Sequence, residues 1–219
     1  YAWPRHSFRH VTWNPTSTTE WRQTIALLAQ LDYDYTGSLS LFDSFADAME
    51  KQTQVACVSA TSQLPDFTVC ERQTAGLGCP REAKLLDLID TPAVGSGDGY
   101  RDGYVLSASS TVIASYMVAS LSATSSLHAA AGNATHAAAL AAQANATATA
   151  INAACVDAQT GLYTDGPSGA AKLHSAWHAS VFPAAMGILP STRRGAVLDF
   201  IRRKRMAGSV YASYWLLKA

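Results

Sequence analysis

Charged residues are scarce in this chain, at 15% of its 219 residues against about 25% in ordinary soluble domains. Lys plus Arg and Asp plus Glu balance at 16 each, so no net charge draws the chain to nucleic acid. No apolar run reaches the roughly 20 residues of a membrane span, and residues 1–6 lack the apolar core of a signal peptide. We therefore expect neither nucleic acid nor a membrane span. The chain does not begin with Met, and we interpret it as mature or partial.

The motifs of several common chemistries are also missing. The sequence has no Gly-rich phosphate loop, no GxSxG, no HExxH and no CxxC. His174 and His178 are four residues apart with Trp177 between them, a spacing that a metal pair could use, but no third ligand accompanies them. A hydrogen-bond donor to a ligand, or a satisfied core histidine, is the better interpretation of His178. We expect no metal and no cofactor.

Cysteine is rare, and three of the four cysteines lie in the least regular part of the chain. They are Cys57, Cys70, Cys79 and Cys155. Their even number and the absence of metal-type spacing predict disulfides rather than a metal site, with the pairing left open. Two sequons predict N-glycosylation at Asn133 and Asn145. Together these features predict a secreted, extracellular or lumenal protein.

Apolar residues recur at spacings of three and four through most of the chain, and alanine, the best helix former, is abundant. The pattern predicts about seven helices in antiparallel hairpins with almost no strand, so the expected fold class is all-α. The predicted helices cover residues 20–35, 38–53, 109–127, 136–154, 176–187, 193–205 and 209–219. Weaker patterns suggest the tail of a helix at 1–11 and a short helix at 81–88.

The whole chain, 1–219, is predicted to be a single domain in which 54–99 is an irregular loop or insertion held by disulfides. Arg101-Asp102-Gly103-Tyr104 follows this segment, where a Gly-rich loop meets the helical half. Charged and aromatic residues in such a loop are typical of ligand binding, whereas a buried Arg–Asp pair that pins the loop is the structural alternative.

Glu20 and Trp21 begin the first predicted helix. The helix dipole favours a carboxylate at that position, which gives Glu20 a structural role without any ligand. Trp21 suits either the core or a platform for a sugar ring.

Five segments of the sequence occur in an order that is familiar. They read TEWR with DYDYTGSLSL (19–22 and 32–41), RDGYV (101–105), TGLYTDG (160–166), HASVFPAAMGILP (178–190) and MAGSVY followed by LL (206–211 and 216–217). In this order they resemble the bacterial-type α-L-rhamnosidases of glycoside hydrolase family 78.

The resemblance implies part of an (α/α)6 barrel, which consists of six helical hairpins around a central cleft. It also implies hydrolysis of terminal α-L-rhamnosyl linkages with inversion, by a carboxylic acid and a carboxylate placed across the sugar. Carbohydrate is then the expected partner, and the remainder of the polypeptide or a partner chain completes the barrel. We expect an enzyme in the complete protein and no catalysis by these 219 residues alone. The alternatives are an inactive carbohydrate-binding or structural module of an extracellular assembly, and another (α/α)6 glycosidase.

The general acid and general base of the family lie before the TEWR helix and after the MAGSVY helix, so neither is assigned within this chain. Asp102 and Glu20 are the catalytic candidates that remain. The Asp-Trp pair that usually precedes RDGY is replaced here, and Tyr100 is a substitute for its tryptophan. The substrate-binding residues implied by the resemblance are Trp21, Tyr100, Arg101, Asp102, Tyr104 and His178.

Overall fold

Helices dominate the structure, a computed structural model that describes residues 19–54, 58–66, 102–105 and 107–219, without the side chains of 19–22 and 51–54. Eight α-helices lie within these residues: α1 Thr19–Thr36, α2 Ser40–Gln54, α3 Thr111–Ala130, α4 Ala134–Ala154, α5 Gly169–Leu173, α6 Trp177–Ala185, α7 Arg194–Lys204 and α8 Val210–Lys218. A 3-10 turn at Ser191–Arg193 precedes α7. The same residues contain no strand beyond two isolated bridges, Val58–Pro65 and Val156–Tyr163. The predicted all-α class is confirmed.

The predicted helix boundaries agree with the observed ones to within a few residues. The exception is α5, which was not predicted because its five residues are too few to show a periodic pattern. The segments 1–11 and 81–88 lie outside the described residues. Of the predicted irregular segment 54–99, the structure describes Gln54 and residues 58–66, where Leu64 is buried.

The central element is α3, which packs against α1, α2, α4 and α6. It contains no Asp, Glu, Lys or Arg, and residues on every side of it are buried. A helix without a polar face is stable in water only when neighbours cover it all round. Ser110 caps its first turn by accepting a hydrogen bond from the backbone N–H of Ile113 at 3.4 Å. Helix α3 therefore begins directly after Ser110, a few residues beyond the 102–105 segment.

The first four helices form two antiparallel hairpins, α1–α2 and α3–α4. In the first, α1 ends at Gly37, whose φ of +69° suits glycine and whose N–H bonds the Tyr33 carbonyl at 2.8 Å. In the second, α3 packs against α4, and Ser125 Oγ donates to the Ala137 carbonyl at 2.7 Å. The alanine-rich segment is thus an ordered helix. No helix of the described part is long and apolar enough to cross a membrane.

Candidate functional site

Three of the five motif segments meet in the interior of the structure. The segment 102–105 contacts the TGLYTDG segment through Asp165, and it contacts the start of the HASVF segment through the rings of Tyr104 and His178, which stand edge-on at 6.4 Å. Asp102 also bonds the backbone of Trp177, one residue before that segment. These partners are separated by 60 to 75 residues in sequence. We call Tyr104, Asp165 and His174 the Asp165 cluster.

Asp165 is completely buried, and its carboxylate organises the cluster. Oδ2 accepts hydrogen bonds from the Val105 N–H at 2.8 Å and from His174 Nδ1 at 2.5 Å, and Oδ1 accepts one from the Ala176 N–H at 2.8 Å. Burial raises the pKa of Asp165 above its ordinary value, and the three donors oppose that rise. The Asp165 side chain thereby connects the 102–105 segment to residues 174–176, which directly precede α6.

Tyr104 extends the same connection to α3. Its hydroxyl donates to the Asp165 carbonyl oxygen at 2.6 Å and lies 2.9 Å from Ser110 Oγ, the N-cap of α3. Burial raises the pKa of Tyr104 well above its ordinary value, with the Asp165 carboxylate contributing in the same direction. The hydroxyl predicted to contact sugar is therefore turned inward and satisfied by protein groups.

Asp102 is held by partners of its own. Its φ of +47° is uncommon outside glycine but tolerated by aspartate. Oδ2 accepts from the backbone N–H of Trp177 at 2.7 Å, one of the donors that the first turn of α6 leaves unsatisfied. Oδ1 pairs with Lys204 Nζ at 2.8 Å, at the end of α7. Both carboxylate oxygens are thus engaged in joining a loop to two helix ends.

His178 lies on α6 with no exposed surface. Its ring stands edge-on to Trp177 at 5.0 Å and stacks on Phe182 at 6.4 Å. The structure places it in the core, while His174 turns to Asp165. The two histidines therefore make separate contacts.

Cys155 requires a correction. It is a free thiol at the C-terminal end of α4, almost fully buried in the main core, and burial raises its pKa. The predicted disulfide at Cys155 is not formed, because the side chain is enclosed by core residues. Cys57, Cys70 and Cys79 lie outside the described residues.

The remaining predicted residues fall into two groups. Both sequon asparagines are exposed, and Asn133 Oδ1 caps α4 by accepting from the His136 N–H at 3.3 Å, while Asn145 lies within that helix. Their glycosylation stays a prediction. The other group lies outside the description: Glu20 and Trp21 are described as backbone alone, and Tyr100 and Arg101 are not described.

Sequence reasoning missed Asp165 and Lys204 as organising residues. Asp165 entered only as a letter of the TGLYTDG motif, and Lys204 only as part of a basic run. The available clue in the sequence was the glycine that follows Asp165. In the structure, a Cβ on Gly166 would stand 2.4 Å from the Ser109 carbonyl oxygen. The backbone at this motif can approach a second segment only if residue 166 has no side chain.

A cavity of about 670 Å³ lies elsewhere, between α1, the end of α6 and α8. Leu27 and Leu31 line one wall, and Tyr211 and Trp215 line another. None of the predicted site residues contributes to it. Its lining is mostly apolar, although it includes Asp34. Because the predicted site residues lie elsewhere, we place the candidate site at the 102–105 segment.

Comparison with known proteins supports the fold. No family model and no curated protein matches the chain. Among solved structures, the crystal structure of a GH78 family rhamnosidase of Bacillus sp. GL1 superposes with a TM-score of 0.67 at 17% sequence identity. The match covers 92% of this chain and 19% of that chain. The chain therefore shares the all-α fold of the matched part of that enzyme, and it spans about a fifth of the enzyme's length.

The buried tyrosines predict a loss of stability in alkali. Burial raises the pKa of Tyr163 to about 12, and that of Tyr104 is raised further. An unfolded tyrosine ionises near pH 10, so the unfolded chain releases these protons first. We expect the free energy of unfolding to be independent of these groups below about pH 10 and to fall as the pH rises toward 12.

Urea unfolding followed across this range, with tyrosinate absorbance recorded in parallel, measures the effect. Tyr163→Phe should make the fall shallower, because it removes the hydroxyl that donates to Asn152 Oδ1 at 2.7 Å. A wild-type protein whose stability does not change over this range would contradict the prediction.

Proposed function

We propose that this chain forms part of the helical barrel of an α-L-rhamnosidase-like glycoside hydrolase, which cleaves terminal α-L-rhamnosyl linkages with inversion in the complete protein. The observation that carries the proposal is the fold match to a GH78 family rhamnosidase over 92% of this chain. The ordered motifs add to it, since the 102–105 segment contacts two of the others, at Asp165 and at His178.

The two aspartates of the candidate site are not proposed as the catalytic acid and base. Inversion requires an acid and a base on opposite sides of the sugar, far enough apart to admit a water molecule. Asp102 and Asp165 use their oxygens on internal donors, so neither is offered as either group. We propose instead that they anchor the 102–105 segment, and that Arg101 and Tyr100, which directly precede it, contact the sugar.

The experiment is hydrolysis of an aryl α-L-rhamnoside by the complete protein, with an aryl α-D-glucoside as the control substrate. We expect release of the aryl alcohol from the rhamnoside alone. Hydrolysis of the glucoside instead would favour another glycosidase of the same architecture. A folded protein that releases the aryl alcohol from neither substrate overturns the proposed activity.

An inactive rhamnosidase-like module is the second candidate, and the internal engagement of Asp102, Tyr104 and His178 favours it. Rhamnose binding without hydrolysis, measured by titration calorimetry on the complete protein, would support a binding module. The absence of both binding and hydrolysis would leave a structural role in an extracellular assembly.

Replacement of Asp102 by asparagine separates anchoring from sugar contact. The amide oxygen can still accept from the Trp177 N–H, whereas the ion pair with the partly exposed Lys204 is lost. We expect unchanged rhamnoside affinity and a loss of no more than about 1 kcal/mol in the free energy of unfolding. Arg101→Ala, by contrast, should weaken rhamnoside binding at unchanged stability. If Asp102→Asn abolishes binding while leaving stability intact, Asp102 contacts the sugar.

A further inference from the structure

Three potential metal ligands that are distant in sequence converge at one end of the helices. Glu50 comes from α2, His128 from the last turn of α3 and His136 from the first turn of α4. Glu50 Oε1 lies 2.7 Å from His128 Nε2 and 3.1 Å from His136 Nε2, and the three ligand atoms are all within 4.8 Å of one another. We propose that Glu50, His128 and His136 bind a zinc ion that links α2 to the α3–α4 hairpin.

The turn between α3 and α4 determines this convergence. Gly132 has a φ of +83°, and the Asn133 N–H bonds back to the His128 carbonyl at 2.8 Å, so α3 ends and α4 begins within three residues. The imidazole rings of His128 and His136 meet edge to face at 4.5 Å, and Phe42 packs edge-on to His128 at 4.9 Å. Packing therefore fixes both rings before any ion binds, which lowers the entropic cost of binding.

The donor set suits zinc. Two imidazole nitrogens and one carboxylate oxygen form the His2Glu set of zinc sites that keep a fourth position for water. With bonds of about 2.0–2.1 Å, tetrahedral ligands stand about 3.3 Å apart. The Glu50–His128 separation would widen by about 0.6 Å and the Glu50–His136 separation by about 0.2 Å. Both imidazoles turn Nε2 to the same Glu50 oxygen, and a zinc ion placed among the three atoms would replace these two hydrogen bonds.

Solvent access allows an ion to enter from one side. The His136 and Glu50 side chains are 37% and 27% exposed, whereas that of His128 is 11% exposed. Met49 and Leu127, the chain neighbours of Glu50 and His128, are buried members of a small apolar cluster. A zinc ion here would lie at the surface end of that cluster and clamp three helices together. Our sequence-based expectation of no metal considered His174 and His178, and it did not foresee this group.

Titration of the chelator-treated full chain with zinc chloride tests the proposal, with calorimetry and thermal unfolding as readouts. We expect zinc to raise Tm, because an ion that binds only the folded state stabilises it. His136→Ala and Glu50→Gln should each weaken this binding by at least about tenfold. Cobalt should give the intense visible bands of a tetrahedral site in the wild-type protein and lose them in the variants.

His174→Ala is the matched control, since the His174 side chain is 39% exposed, close to that of His136, but bonds Asp165. It should leave zinc binding unchanged. Zinc held by cysteines or other histidines would persist in His136→Ala and Glu50→Gln, so the difference from wild type measures this site alone. Equal binding in wild type and both variants, or no binding at all, overturns the proposal and leaves a hydrogen-bonded triad.

Discussion

Replacing Asp165 by alanine is expected to lower the free energy of unfolding by about 2–5 kcal/mol, because each donor left without its acceptor costs about 1–3 kcal/mol. The change removes the acceptor of two backbone N–H groups, that of buried Ala176 and that of half-buried Val105, and it frees the His174 imidazole. It also removes the connection between the 102–105 segment and residues 174–176, which directly precede α6. Urea unfolding followed by circular dichroism measures the loss.

Two variants make the result specific. Asp165→Asn keeps the shape and one acceptor oxygen, so its loss should be smaller than that of Asp165→Ala. Asp199→Ala removes a carboxylate that is 60% exposed and pairs with Arg202 within α7, and it should change stability by no more than about 0.5 kcal/mol. An Asp165→Ala protein as stable as Asp199→Ala would show that the buried carboxylate does not hold the cluster together.

Replacing Gly166 by alanine is expected to destabilise the protein by about 1–3 kcal/mol, the usual cost of overpacking. A Cβ there would lie 2.4 Å from the Ser109 carbonyl oxygen and 2.7 Å from Ser107 Oγ. Because the nearest atom belongs to the backbone, no rotamer change relieves the contact, and residues 107–109 must move away. That motion also strains the neighbouring bonds from Tyr104 and Val105 to Asp165.

Gly195 provides the matched comparison. It lies in the first turn of α7, and a Cβ added there meets nothing within 4 Å. Gly195→Ala should therefore raise the free energy of unfolding by about 0.4–1 kcal/mol, since alanine loses less backbone entropy on folding. Thermal and urea unfolding of the pair should move in opposite directions. A Gly166→Ala protein that gains stability as well would contradict the close approach described here.

The sequence predicted the helices well because local periodicity carries the information. The sequence predicted helices at 109–127 and 136–154 that pair as a hairpin, and the structure has them at Thr111–Ala130 and Ala134–Ala154. The motif segments were also identified, but not how their side chains are used. Whether the Tyr104 hydroxyl faces a ligand or the Asp165 carbonyl depends on a contact 61 residues away. The same is true of Glu50, which meets histidines 78 and 86 residues further along the chain.

The sequence could not predict which polar side chains contact one another in the folded protein. Periodicity reports which face of a helix is apolar, and it says nothing about which polar atoms meet across the core. Asp102 was identified from its motif, but the motif did not predict that its two oxygens accept from the Trp177 N–H and pair with Lys204. Cys155 was predicted to pair, yet it is enclosed among core side chains. Long-range contacts decided both cases.

The most direct measurement on the central proposal is proton NMR of the sugar released from an aryl α-L-rhamnoside by the complete protein. Inverting hydrolysis predicts that the β-anomer of L-rhamnose appears first and that mutarotation then produces the α-anomer. Initial release of the α-anomer would contradict the inverting mechanism. A folded protein that releases no rhamnose at all would contradict the proposal that this helical fold serves an α-L-rhamnosidase.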